Sequence, residues 1–576
     1  MSQNSISRRR FLFNSLLTTG GVLLAPNIIS CSNDYEVYDI PSTYTNDSFL
    51  YGVASFDPSH DQVIIWTKYE SSKKEAKIFW QVAYDSSFKN VVRSGEAIVD
   101  FTTDYTLAVE IQNLEPNSKL FYRFFSVEDN SVSVVGETIT LPLNADEIKL
   151  AVCSCANYQA GLFNVYGAMA NSNADIIVHL GDYIYEYGEG EYGTNEYTAS
   201  IGRNHKPSTE LFTLYDYRER YKQYRSDKNL QLAHQKKPFI CVWDDHEIAN
   251  DTFKDGAENH QVNEGSFTER KEAAIRAYSE YLPVKTSDKN IIYRSFNIGN
   301  LVNLIMLDTR VIGRDQQLNY ANYYDASGNF NAGAFQNDWL NPNRSILGST
   351  QRNWLISELN NSTTTWQVLG QQVLMGKMML PAEMLGTLAT VEAEVSATGS
   401  ASPSTMVYFQ QQITELVTIK LKMANGIPVT AEEQTRISTV LPYNLDAWDG
   451  YPIEREVLYA NLSGKKVISL AGDTHNAWYN KLSDSSNNIV GREFATSSVT
   501  SPGLENYLGI DPSTINSFED AMQILVNDLD YLNAVDRGFL EIRFTPSSAD
   551  AEWKFVSSVF SDGYFISTDK TENYSA

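Results

Sequence analysis

Six short apolar runs, at residues 148–152, 175–180, 239–243, 301–307, 366–369 and 467–471, leave this chain few ways to fold. Each is largely aliphatic, as strands covered on both faces are. Segments with helical periodicity lie between them, and that alternation predicts an α/β (α+β) architecture from about residue 147 to 570. Directly after the runs come the polar residues: Cys155, Asp182, Asp244-Asp245-His246, Asp308, Gln371-Gln372, and Asp473 with His475. Ligands of open α/β sheets bind beyond the carboxyl ends of the strands, so this placement predicts one shared site.

Residues 48–142 follow another rule. Alternating or apolar runs at 62–69, 77–84, 105–111 and 120–127 are separated by Asp57-Pro58 and the Glu115-Pro116-Asn117 turn, which predicts a fibronectin-like antiparallel β-sandwich. Its His60 reads as a turn residue. Residues 380–445 read as an insertion over one side of the site, Ala/Thr/Ser-rich at first and then helical at 410–423.

The first 31 residues read as an address. Ser7-Arg8-Arg9-Arg10-Phe11-Leu12-Phe13 matches a twin-arginine export signal, and the apolar stretch at 16–26 is too brief to span a bilayer. Ile28-Ile29-Ser30-Cys31 reads as a lipobox, with chance placement of Cys31 after an ordinary cleavage site as the alternative. Residues 32–47 would be a tether, and the expected location is periplasmic or cell-surface, anchored through Cys31. That lipid would be the only membrane contact, and a monomer is expected. With 45 basic and 71 acidic residues the net charge is −26, which excludes nonspecific nucleic-acid binding through a basic patch. An anionic ligand would need a locally positive site. The thiols beyond Cys31 are Cys153, Cys155 and Cys241; either they are buried and inert or one of them binds metal.

Three segments carry ligand chemistry. In Gly181-Asp182-Tyr183-Ile184-Tyr185 the glycine permits a sharp turn, Asp182 sits at the strand tip, and Tyr185 returns to the same point if the turn is helical. A carboxylate can bridge two cations, and a phenolate suits a hard ferric ion. In Trp243-Asp244-Asp245-His246-Glu247, four ionisable residues follow a buried strand, which is costly unless they coordinate or pair. Asn250, Asp251, Asp255 and Glu258 follow as further oxygen donors. In Gly472-Asp473-Thr474-His475, two ligand types stand two apart, on one side of an extended chain. His179, His205, His234 and His260 read as packing or surface residues.

Together with Phe49-Leu50-Tyr51-Gly52-Val53-Ala54-Ser55, Ser154-Cys155-Ala156-Asn157-Tyr158, Leu307-Asp308-Thr309-Arg310 and Gly370-Gln371-Gln372-Val373-Leu374, these segments resemble the PhoD family. That family is a branch of the calcineurin-like metallophosphoesterases related to purple acid phosphatases. The resemblance runs from residue 49 to about 565. It implies a four-layer metallophosphoesterase sandwich behind the N-terminal β-sandwich, and a site holding Fe3+ beside Ca2+, with Zn2+ or Mn2+ as other candidates. Carried over to this sequence, Cys155, Asp182, Tyr185 and His475 would hold iron. Asp182, Asp245 and Asp473 would hold calcium, with Asn250 or Gln371; the neighbours Asp251 and Gln372 could serve instead.

The implied activity is that of an alkaline phosphatase or phosphodiesterase acting on a small phosphate ester. A metal-bound hydroxide would attack phosphorus while His246 protonates the leaving oxygen. Arg310 is either a clamp on a phosphoryl oxygen or half of an Asp308–Arg310 structural pair. Monoester and diester preference, including a phospholipase D-like diesterase, stays open at this stage. A sulfatase-like nucleophile is disfavoured because Cys155-Ala156-Asn157 lacks the expected Pro and Arg. A surface ligand-binding lipoprotein is disfavoured because every candidate position holds a competent residue.

Overall fold

The computed structural model describes residues 38–510 and 513–575. The twin-arginine motif, the lipobox with Cys31 and the first part of the tether lie outside them. The six apolar runs are the strands Ile148–Cys153, Ile176–His179, Phe239–Cys241, Val302–Met306, Trp366–Gly370 and Lys466–Ala471. They divide equally between two sheets.

The first three lie side by side and parallel in a nine-stranded sheet, flanked by the antiparallel strands Gly538–Phe544, Ser548–Val556 and Ile566–Ser575. The last strand, Ile566–Ser575, is paired along its length through Ser575. The other three, with Ile489–Ala495, form the parallel centre of a seven-stranded sheet. The faces of this second sheet separate by period two. Leu304, Val368 and Ile468 join the core shared with the nine-stranded sheet, whereas Ile305, Leu369 and Val467 face a second core under the helices Gly348–Asn361 and Pro452–Leu462. Helices Leu214–Arg225 and Phe267–Tyr281 bury Tyr217, Tyr221, Ala274 and Tyr278 in the shared core from the opposite side. Helix, sheet, sheet, helix is the four-layer order.

The N-terminal strands Val53–Phe56, Val63–Lys68 and Thr106–Ile111 extend the nine-stranded sheet, with Phe56 in parallel register against Phe239. Facing them is a separate sheet built on Glu75–Ala83, Val91–Asp100 and Lys119–Ser126. Val53, Val63, Ile65, Trp80, Val109 and Phe124 fill the space between. One layer of the sandwich is thus continuous with the larger sheet.

Residues 379–442 leave the seven-stranded half through a neck, where Met379–Pro381 pairs antiparallel with Val440–Pro442. Beyond it run the helices Ala382–Thr398, Pro403–Ala424 and Ala431–Ser438. Among the described residues no helix is long and apolar enough to cross a membrane.

Candidate metal centre

The parallel strands of both sheets end at one place, and the chain there leaves ordinary backbone conformation. Cys155, Asp182, Asp251, Asp473 and His475 have φ of 61°, 54°, 55°, 65° and 64°. Left-handed backbone disfavours residues with a Cβ and is retained where the surroundings enforce it, typically at functional sites. Two glycines make the approach close enough. A Cβ on Gly181 would lie 2.5 Å from the Asp244 backbone nitrogen, and one on Gly472 would lie 2.4 Å from Ser154 Oγ. Glu247 ties the loops together: its carboxylate accepts from the backbone N–H of Asp182 at 3.0 Å, of Asp244 at 2.7 Å and of Tyr183.

Three overlapping groups of donors result. Cys155, Asp182 and His475 form one, Asp182, Asp245 and His246 a second, and Asp244, Asp245 and Asp473 a third, with the donor atoms of each group within 4.8 Å of one another. Tyr185 belongs with the first group, since its hydroxyl donates to Asp182 Oδ2 at 3.0 Å and lies 3.3 Å from His475 Nε2. Asp182 and Asp245 link the groups, as residues shared between two cation positions must.

The electrostatics require positive charge. Asp244, Asp245, Asp251, Asp446 and Asp473 converge on two buried guanidinium groups, Arg310 and Arg314, and Asp182 lies against Asp244, Asp245 and His246. Burial pushes Asp182 and Asp473 well above the usual carboxylate range, and Asp244 and Asp251 up to about 7, with neighbouring carboxylates adding to the shift. Burial also works to raise Asp245, but Arg310 and His246 outweigh it and hold that carboxyl low. Burial raises Cys155, and the Asp182 charge raises it further. A bound cation reverses this logic by favouring the ionised donors. The donor set fits: thiolate, imidazole, phenol and carboxylate suit a transition metal, and the carboxylates around Asp245 suit a hard cation.

Both histidines have their orientation set from behind. His475 Nδ1 lies 2.7 Å from the Pro502 carbonyl, an acceptor, so Nδ1 carries the proton and Nε2 faces Tyr185 as a free donor atom. His246 Nδ1 lies 2.7 Å from Glu186 Oε2, and its ring stacks on Tyr185 with centroids 4.2 Å apart. Burial works to lower His246, but Glu186, then Asp245 and Asp182, outweigh it and raise the imidazole well above its ordinary value. Glu186 itself is fully buried and accepts from the Asn250 backbone at 2.7 Å and from Asn259 at 2.8 Å.

Three sequence-derived candidates do not sit as expected. The Asn250 side chain turns outward and donates to Glu258 at 3.2 Å, while the neighbouring Asp251 lies inward, its backbone N–H 2.6 Å from Asp245 Oδ2. Gln371 has both ends of its amide engaged, donating to Ser469 Oγ at 2.9 Å and accepting from Trp448 at 2.7 Å; Gln372 bridges Thr309 and the carbonyls of Trp243 and Leu307. Arg310 is neither an open clamp nor the partner of the Asp308 side chain. Its guanidinium is fully buried against Asp244, Asp446 and Asp473, and Asp308 accepts instead from the backbone N–H groups of Arg310 and Val311. Asp446 was missed because it stands alone in the sequence at the end of the insertion. Glu247 closes one of the sequence motifs and Glu186 directly follows another, but their partners were not visible. Cys153 and Cys241 are buried in the apolar core, away from the three donor groups. His179 and His234 are fully buried and hydrogen-bonded to Tyr166 and Tyr183.

A family profile described as PhoD-like phosphatase matches residues 150–553, and one described as its N-terminal domain matches residues 36–142. The chain is 32% identical to alkaline phosphatase D of Bacillus subtilis (strain 168) over 592 aligned positions, covering 98% of this chain and 87% of that protein. It is also similar to a solved structure of PhoD, with a TM-score of 0.71 and 29% identity, covering 93% of this chain and 92% of that one.

Proposed function

We propose that this chain, which belongs to the PhoD-like phosphatase family and is a hydrolase of phosphoric esters, works through an iron and calcium centre held by the strand-end donors, with His246 as the proton donor. Cys155, Asp182, Tyr185 and His475 would hold iron, and Asp182, Asp245 and Asp473 calcium, with Asp251 a better-placed further donor than Asn250. Such cations neutralise phosphoryl oxygens and make water a stronger nucleophile near neutral pH.

The chain's own groups do the rest. As the water oxygen bonds to phosphorus, the bond to the leaving oxygen breaks, and the Nε2 proton of His246 goes to that oxygen. Glu186 holds the imidazole by Nδ1 and favours its charged form. Arg310 spaces Asp244, Asp446 and Asp473 and keeps them from repelling one another. The observation that carries the reading is that Asp182 and Asp245 are shared between adjoining donor groups with His246 beside them.

Dialysis against chelator should abolish hydrolysis of p-nitrophenyl phosphate and of bis-p-nitrophenyl phosphate, and iron with calcium should restore whichever activity the enzyme has. Full activity in protein shown by elemental analysis to lack both metals would refute the reading. Export and lipid anchoring rest on Arg8, Arg9 and Cys31; a Cys31→Ser variant that still incorporates labelled fatty acid would exclude the anchor.

A further inference from the structure

Residues 185–188 belong to no helix or strand, so their carbonyls have no ladder in which to pair. Three consecutive side chains of that stretch meet the His246 imidazole. The Tyr185 ring stacks on it with centroids 4.2 Å apart, Glu186 Oε2 lies 2.7 Å from its Nδ1, and the Tyr187 ring centroid is 5.4 Å away. The backbone of the same stretch is held by Arg220, on the helix Leu214–Arg225, which is fully buried and has no carboxylate partner among the described residues. Its guanidinium donates instead to four carbonyls: Nη1 to Tyr185, Nη2 to Tyr187 at 2.9 Å and Pro207 at 3.2 Å, and Nε to Lys206 at 3.0 Å. The helix that carries it is fixed by Tyr217, Tyr221 and Tyr224 in the shared core. A buried charge without a counter-ion opposes folding unless its donors are satisfied, and here the carbonyls alone satisfy it.

We propose that Arg220 is a positioning residue for proton transfer: by fixing the carbonyls of Tyr185 and Tyr187 it sets where the Tyr185 ring and the Glu186 carboxylate hold His246. The inference rests on the reading of His246 as proton donor and deepens it. A guanidinium presents its donors as a planar fork in several directions and so joins residues 185–187 to residues 206–207. A lysine ammonium is a point charge and does not reproduce that fork. A reacting group displaced by about 1 Å can lose about 10²-fold in rate. Tyr185, on the same backbone, would carry the displacement to the iron donors.

The test compares Arg220→Lys with Arg225→Lys in the full-length, metal-loaded enzyme. Arg225 lies on the same helix, is equally buried and also donates to carbonyls, but to those of Tyr51 and Val53, at 3.3 and 3.5 Å. The substrates are butyl and p-nitrophenyl phosphate, or dibutyl and bis-p-nitrophenyl phosphate, whichever pair is turned over. Arg220→Lys should lower kcat for the butyl ester by about 10–100-fold with KM unchanged, and should lower it less for the p-nitrophenyl ester, whose leaving group needs no proton. It should also move the visible phenolate-to-iron absorption. Arg225→Lys should lower Tm and leave both kcat values and the absorption as they are. Should Arg220→Lys not fold, Arg220→Gln is read in the same way. A lowered Tm with the ester ratio and the absorption unchanged, an equal loss on both esters, or failure of both Arg220 variants to fold beside a folded Arg225→Lys assigns Arg220 to stability and overturns the inference. If His246→Gln distinguishes the two esters and Arg220→Lys does not, only this inference fails; if His246→Gln does not distinguish them, the proton-donor reading falls and this inference with it.

Discussion

In the N-terminal sandwich most ion pairs are exposed: Lys73 pairs with Asp129, Lys77 with Glu96 and Lys119 with Glu137, all at the surface, over an interior built from Val63, Ile65, Trp80 and Val109, while buried Lys68 and Asp57 are each paired, with Glu70 and Arg294. Exposed pairs of this kind contribute about 0–1 kcal/mol each, so apolar contact holds that region together. At the strand ends of the two larger sheets, Asp182, Asp244, Glu247 and Arg310 are fully buried, and Cys155, Asp473 and His475 adopt left-handed backbone. Desolvated carboxylates and strained backbone oppose folding and are retained where function requires them. Strands of similar composition thus serve stability in one region and chemistry in the other, and the residues at their carboxyl ends make the difference.

The largest expected separation between the regions is kinetic. His246→Gln should lower kcat by about 10²–10⁴ for alkyl phosphate esters, with a smaller loss for p-nitrophenyl esters, whose leaving group needs no proton. Glu186→Gln should give a lesser loss of about 10–100-fold, because it removes only the group that orients and charges the imidazole. Equal losses on both ester types would remove His246 from the proton-donor role.

The next effect should appear in stability alone. Trp80→Ala empties a site 2% exposed in the sandwich core and should cost about 3–5 kcal/mol in chemical denaturation. The kcat of the folded fraction should be unchanged. A fall in kcat would break the comparison, showing that the shared sheet passes strain from Phe56 through its partner Phe239 to the strand ends.

The smallest effect tests buried charge away from the centre. Burial raises half-buried Glu519, on the helix Ile515–Leu525, to about 6, with Asp569 and Asp536 adding to the shift. The folded state therefore binds a proton that the unfolded state releases, and stability from this group falls as pH rises from about 4.5 to 6. Glu519→Gln should raise Tm at pH 8 and leave it unchanged at pH 4, with a gain below about 1 kcal/mol after solvent screening. A gain that is as large at pH 4 would assign the effect to packing instead of charge.

The strands and their polar ends were legible because apolar runs and turn residues report burial locally. Cys155, Asp182, Asp245, Asp473 and His475 stood out for the same reason: ionisable groups after buried strands are costly without a purpose. The choice between Asn250 and Asp251, and between Gln371 and Gln372, stayed open because an amide side chain gives no local sign of which neighbour it will bond. Arg310 was misread because Asp446, one of its main partners, lies 136 residues away.

From sequence alone came the α/β alternation, the β-rich N-terminus and the donor residues; these depend on periodicity and on chemistry carried within a few positions. The split of the six strands between two sheets, the joining of the sandwich to the larger sheet, and the pairings Glu186–His246 and Arg310–Asp446 were decided by tertiary structure. Strand order and charge pairing depend on contacts between distant residues, and neither leaves a mark on local hydrophobic pattern.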